Sequence, residues 1–440
     1  MTSRLAQSWQ DLRESLWFVP ALLVTASFAL AYGLIQFDAH TNWQGEKQFP
    51  LLFGNGAEGA RGMLTAIAGS MLTVAALTFS LTLSAISQVS SQYSPRVLRN
   101  FMRDRGNQVV MGYFVGVFAY CLIVLGTIRG TDEQKFVPAT AVLVGLVLAL
   151  GGVAALIFFI HHIAESLQTG TIVRRIYAET SRAINTLFPD TLGESVGDQR
   201  LDEAARRFDP AHPDWHPVRA GQTGYLQSVS VEGLLHWATR HRVLLRLEEV
   251  VGAFVTETTV LLSVRGDADP AKTDDLLDHV SIGPHRNLQQ DAAFGLQQLV
   301  DIALKALSPG INDTTTAIMA VDYLGALMVQ LAGRGFPSPV RSDGQHARVL
   351  VRAAGFDDYA RLAFDLPRVN AHGNHAVLMR LLRALASTAA EADPTRRVVL
   401  RQQVGLLRAQ ADQTLQSEYE KTLFRNLHDA LSETWAGLEE

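Results

Sequence analysis

Four apolar stretches, all before residue 161, constrain this chain more than any other feature. They run approximately Trp17–Phe37, Met63–Ser87, Val109–Ile128 and Phe136–Ile160. A helix that crosses a bilayer needs about 20 mostly apolar residues, because the hydrocarbon is ~30 Å thick and the helix rises ~1.5 Å per residue. All four stretches meet that length. The mean hydropathy of +0.11 averages them with a remainder that reads as an ordinary charged soluble chain. With 440 residues the chain has room for a membrane part and a large aqueous part.

Arginine and lysine beside each stretch set its orientation, since positive loops stay in the cytoplasm. Arg4 and Arg13 precede the first, Arg96, Arg99, Arg103 and Arg105 join the second to the third, and Arg174, Arg175 and Arg182 follow the fourth. Both termini of this multi-pass chain are therefore expected inside. Asp11 and Glu14 ahead of the first stretch speak against a cleaved secretory signal ending at Ala29-Leu30-Ala31. A formal charge of −5 argues against nucleic acid as a partner. The single cysteine, Cys121, excludes an intramolecular disulfide and a cysteine-based metal cage.

The expected fold is an α-helical membrane protein with four transmembrane helices plus an α+β cytoplasmic domain. Residues 1–16 form a cytoplasmic segment, 17–162 the four-helix domain, and 163–221 a helical stalk and linker. Residues 222–283 form a small β-rich unit, open to a barrel reading, and 284–440 a mainly helical domain. Strands are expected at Gly224–Val229, Val243–Leu247 and Ala347–Arg352, with a helix at Val231–His241. Leu296, Leu299, Ile302 and Ala306 share one helical face until Ser308-Pro309-Gly310 stops it. Asp313 then caps a second helix carrying Ile318, Val321, Leu324 and Met328.

Within the second stretch Thr73, Ser80, Ser84, Ser87 and Ser91 lie along one helical face, with Leu72, Phe79, Leu83 and Ile86 read as the opposing apolar face. Repeated around an axis, the hydroxyls would line a pore with Arg96 and Arg99 as a basic inner mouth. Small and hydroxylated residues equally let membrane helices pack closely, and the arginines equally serve as topology determinants and headgroup contacts. Pro95 marks a bend after the stripe.

His161, His162 and Glu165 end the fourth stretch, with His161 and Glu165 one turn apart. Metal binding, a pH-responsive contact and interfacial anchoring all remain open for them. In the soluble part His285, Arg286, Asp291, Asp301, Asn312 and Asp313 form a candidate cluster for a phosphate or a cation, or a set of caps. No catalytic arrangement, metal site or cofactor motif follows from spacing, and an enzyme is disfavoured.

The run Asp301-Ile-Ala-Leu-Lys-Ala-Leu-Ser-Pro-Gly-Ile-Asn-Asp313 followed by Thr-Thr-Thr-Ala317 resembles the hallmark of an uncharacterised bacterial membrane-protein family. That family is catalogued as domain of unknown function twenty-two fifty-four. Phe79-Ser-Leu-Thr-Leu83, Ser90-Ser-Gln-Tyr-Ser-Pro-Arg96, Leu98-Arg-Asn-Phe-Met-Arg-Asp-Arg-Gly106, Phe159-Ile-His-His-Ile163 and Gln290-Asp-Ala-Ala-Phe-Gly295 support the likeness. Members usually carry proline where this chain has Thr314. The resemblance implies an inner-membrane protein with four spans and a cytoplasmic domain, and supplies no activity. Three functions stay open: an oligomeric ion channel gated by the cytoplasmic domain, a membrane-anchored sensor or scaffold, and a membrane enzyme or transporter. The spans hold almost no ionisable group, which weighs against the third. The expected partners are the lipid bilayer, further copies of the chain and inorganic ions.

Overall fold

The first apolar runs become helices α1 (Phe18–Thr41), α2 (Gly56–Gln92), α3 (Arg105–Thr127) and α4 (Ala139–Ser166). The computed structural model describes residues 17–41, 56–92, 104–131, 134–188, 207–266 and 274–436. The chain divides into two compact units, Thr2–Thr171 and Ile172–Glu440.

In the N-terminal unit α3 is central. Val110, Phe114, Val117, Tyr120, Cys121 and Val124 are buried, and α1, α2 and α4 pack around them. Two glycines one helical turn apart let α1 lie close. A Cβ on Gly112 would come within 2.8 Å of the Pro20 Cα, and one on Gly116 within 2.7 Å of the Ser27 hydroxyl. Such small-residue spacing replaces the hydrophobic driving force that lipid does not provide between helices. A hairpin of β1 (Arg129–Thr131) and β2 (Gln134–Phe136) joins α3 to α4. At that end of the bundle charges complement helix termini: Arg61 donates to the Ile128 carbonyl at 2.7 Å, and the Ala141 N–H donates to Asp38 at 3.1 Å.

The structure differs from the expected continuous stalk. Helix α4 ends at Ser166, and a new helix, α5 (Thr169–Leu187), begins after two residues. Ile172, Val173, Ile176, Thr180, Ala183 and Ile184 of α5 are buried in the C-terminal unit, so α5 is a core element there.

The strands β3 (Trp215–Arg219), β4 (Gly224–Val229), β5 (Leu244–Leu247), β6 (Phe254–Val255), β7 (Val260–Arg265) and β8 (Val280–Gly283) surround α6 (Val231–His241) and the short α7 (Asp274–Leu277). Helices α8 (Ala292–Leu307) and α9 (Thr314–Ala332) follow, then β9 (Val340–Ser342) and β10 (Ala347–Leu350). The strands form two sheets, ordered β3-β7-β5-β10-β9 and β6-β4-β8, over a core of Leu226, Leu234, Leu245, Leu261, Leu262 and Val349. The larger sheet draws on residues outside 222–283, because β10 lies parallel to β5 with Val349 opposite Leu245. Helices α10 (Phe356–Asn370), α11 (His375–Glu391), α12 (Pro394–Thr414) and α13 (Glu418–Ala436) complete the unit.

Among the described residues five helices are long and apolar enough to cross a membrane: α1 to α4 and α9. Helix α9 differs from the others in its surroundings. Ala317, Ala320, Val321, Leu324, Leu327 and Met328 are fully buried, and Asp322 pairs with Arg380 of α11 through two hydrogen bonds. Ile318 is half-buried, at the margin of the stripe read from the sequence.

Asp313 caps α9 as its position predicts, accepting from the Thr316 N–H at 3.0 Å and the Thr316 hydroxyl at 2.6 Å. These bonds, the hydroxyl first, hold its carboxyl below the ordinary aspartate value. The cap's contribution is therefore present above the unfolded value of about 3.9 and is lost as pH falls through the lower folded value. Asp313→Ala should cost α9 about 0.5–2 kcal/mol at neutral pH, the usual range for such a cap. Hydrogen exchange of the first-turn amides in the full-length protein measures it. Equal protection in the two proteins at neutral pH would rule out the capping role.

Candidate functional site

Helix α2 has 37 residues, about 55 Å at ~1.5 Å each, so it overshoots a hydrocarbon core about 30 Å thick. Its buried face is Leu64, Ile67, Met71, Ala75, Thr78 and Ala85. Thr73 lies two residues from both Met71 and Ala75, a rotation of about 200°, so the hydroxyl stripe points away from the chain's own helices. Thr73, Ser80, Ser84 and Ser87 are all exposed, and the Thr73 hydroxyl donates to the Gly69 carbonyl at 2.9 Å. The surface opposite the stripe is thus not Leu72, Phe79 and Leu83. Those three are about half exposed and flank it. The reason is geometric: each of the three stands one position before a stripe residue, and one residue is a rotation of about 100°, a quarter turn or so and not half a turn.

The stripe also extends further than the hydroxyls alone. Gly62, Ala66, Gly69, Thr73, Ala76, Ser80, Ser84 and Ser87 follow steps of four and three along one exposed face, and none is larger than threonine. Nothing approaches the Cβ positions of Gly62 or Gly69 within 4 Å. Arg96 and Arg99, the expected basic mouth, and Pro95 lie outside the described residues, as does the side chain of Ser91.

At the far end of α4 the structure selects His162 rather than His161. The His162 Nε2 lies 2.9 Å from the Asp104 Oδ1, and the same oxygen accepts the Gly106 N–H at 2.8 Å, capping α3. His161 and Glu165 are exposed. Among the described residues no group of three or more His, Cys, Asp or Glu is placed to hold a metal ion.

The candidate cluster of the C-terminal unit separates into two places. Arg286 and Asp291 meet in a bidentate pair at 2.7 and 2.9 Å, with Asp291 buried and also accepting the Phe294 N–H at the start of α8. The Arg286 guanidinium lies 5.2 Å from the Phe294 ring centroid. Tyr359, buried nearby, has its hydroxyl pushed above the ordinary tyrosine value, first by burial and then by the Asp291 charge. Asn312 and Asp313 lie beyond the other end of α8, whose 16 residues span about 24 Å. Asp301, midway, accepts from Gln297 at 2.8 Å, and the exposed His285 contributes its carbonyl to Gln227 at 2.6 Å. The six residues read as one cluster thus include an ion pair at one helix start and a cap at the next, with His285 and Asp301 in neither.

Sequence reasoning passed over Asp38, which is 8% exposed. The apolar stretch read from the sequence ends at Phe37, one residue before it. The available signal was periodicity, since Ala31, Leu34 and Ile35 pack in the core and Asp38 continues their spacing by one turn.

The family model for predicted membrane proteins of unknown function, DUF2254, matches residues 13–387. An uncharacterized protein of Mycobacterium tuberculosis (strain CDC 1551 / Oshkosh) is 36% identical over 385 residues, covering 85% of this chain and 72% of that protein. An uncharacterized protein of Mycobacterium bovis (strain ATCC BAA-935 / AF2122/97) matches with the same identity and coverage. No solved structure matches the chain significantly. From its family match over most of its length and its kinship to these proteins, the chain belongs to the DUF2254 family of predicted membrane proteins.

Proposed function

We propose that the protein is an inner-membrane oligomer in which α2 of each copy faces a shared axis and its hydroxyl-bearing half lines an ion path. The observation that carries this reading is the exposed, uniformly small face of α2, turned away from the chain's own helices. Small faces allow helices to approach closely, and hydroxyls on such a face offer oxygen ligands and hydrogen bonds where water enters. The proposal takes α1 to α4 as the spans. Helix α9 is left out because its apolar face is already buried within the C-terminal unit and it carries the Asp322–Arg380 pair. Arginines after α2 and after α4 support a cytoplasmic side for both termini. In this arrangement the C-terminal unit controls the path.

Gly62, Ala66, Gly69 and Ala76 favour a second reading, in which copies pack dry along α2 and the bundle anchors a sensor or scaffold. Cysteine substitution separates the two after Cys121→Ser. Under the channel reading, Ser80→Cys, Ser84→Cys and Ser87→Cys react with hydrophilic thiol reagents and Ile67→Cys does not, because reaction requires thiolate and access. Reconstituted protein also conducts ions. Protection of all three positions together with silent bilayers would leave the anchored sensor.

A further inference from the structure

We propose that Asp38 and Thr140 contribute to a binding site for a monovalent alkali cation at the hairpin end of the N-terminal bundle. Asp38 is 92% buried by its exposure of 8%, and its Oδ2 accepts the Ala141 N–H at 3.1 Å. Its Oδ1 is buried with no hydrogen-bond partner among the described residues, and so is the Oγ1 of Thr140, the residue before Ala141. Two orphaned oxygens, one from a carboxylate and one from a hydroxyl, thus lie at the first turn of α4. Burial of an unpaired charge is costly, and proteins relieve it by pairing or by ligating a cation.

Among the described residues the neighbouring groups do not supply that pairing. Arg61 directs its guanidinium to the Ile128 carbonyl, and the Tyr120 hydroxyl donates to the Ala141 carbonyl at 2.6 Å. In the N-terminal unit Asp38 is the sole buried carboxylate among the described residues. The ligand chemistry therefore favours an ion content with one carboxylate and neutral oxygens over a metal that needs several histidines, thiolates or carboxylates.

Both helix ends are consistent with this division. The start of α4 complements the charge on Oδ2 through the Ala141 N–H. Asp38 also lies in the last turn of α1, which ends at Thr41, and the final carbonyls of a helix carry its negative end. The His40 ring and the Thr41 hydroxyl bond to the carbonyls of Gln36 and Phe37, at 2.7 and 2.6 Å, earlier in that turn.

The test uses the purified full-length protein in LiCl, NaCl, KCl or N-methylglucamine chloride at equal ionic strength and pH. Hydrogen exchange of the first-turn amides of α4 is the readout. One alkali cation should slow that exchange saturably, by about tenfold near ten times its Kd. Thr140→Val and Asp38→Asn should each reduce the effect, and Glu58→Gln on the exposed start of α2 should keep it. Where Asp38→Asn fails to fold, Thr140→Val decides. Equal exchange in all four salts overturns the proposal, as does an undiminished cation effect in Thr140→Val. Exchange that responds to pH but to no cation, and loses that response in Asp38→Asn, makes a proton the occupant and also overturns it.

Discussion

Gly295→Val should destabilise the C-terminal unit by about 3 kcal/mol, the upper end of the usual cost of overpacking a closed core. Helix α5 crosses α8 at this glycine. A Cβ there would run into the Thr180 hydroxyl and come within 2.7 Å of the Thr180 Cβ. The second contact matters more, because the backbone fixes a Cβ and no rotamer of the fully buried Thr180 can move it away. The gain in helix propensity on losing a glycine is at most about 1 kcal/mol and does not offset the clash. Thr180 bonds its own helix at the Ile176 carbonyl, at 2.7 Å, so Thr180→Ala removes bulk without stranding a distant partner. The double variant should recover a measurable part of the loss, as expected for residues in direct contact. Thermal unfolding of the full-length protein checks both, and a Gly295→Val variant that melts like the native chain would mean that the crossing is not tight.

Gly112→Val should loosen α1 from α3 by about 1–3 kcal/mol, which corresponds to roughly five- to 160-fold faster exchange of α1 amides. Here the obstacle is main chain. The added carbon would meet the Cα of Pro20 at 2.8 Å, so relief requires moving α1 as a whole. Gly116→Ala should cost less, since its nearest neighbour is the Ser27 hydroxyl, the movable end of a small side chain. Mass-spectrometric exchange on the two variants ranks them. Equal protection of α1 in native and Gly112→Val protein would sink the account.

What could be read from the sequence shared a physical property: the signal lay within about one element. Apolar length marked α1 to α4, and a stop at Ser308-Pro309-Gly310 followed by Asp313 marked the α8–α9 connection. The strands expected at Gly224–Val229 and near Ala347 were legible for the same reason. What escaped depended on partners distant in the chain. Nothing near Ala347 says that its strand lies parallel to β5, and the amphipathic run after α4 reads as a stalk until Gly295 and Gln330 are brought against it. The candidate residues behaved alike. Asp313 was recognisable as a cap because its donors follow within three residues, whereas the role of Asp38 required α4, 103 positions away.

The placement of α5 has a consequence in time. Ser181 hydrogen-bonds Gln330, 149 residues later. At a synthesis rate of about 5–20 residues per second, roughly 7–30 s separate the emergence of α5 from that of its partner. Throughout that interval Ile172, Val173, Ile176 and Ile184 have no finished core to enter. The chain has by then just delivered α4, two residues earlier, so the nascent α5 waits with its apolar side uncovered beside the last of the N-terminal helices to be made.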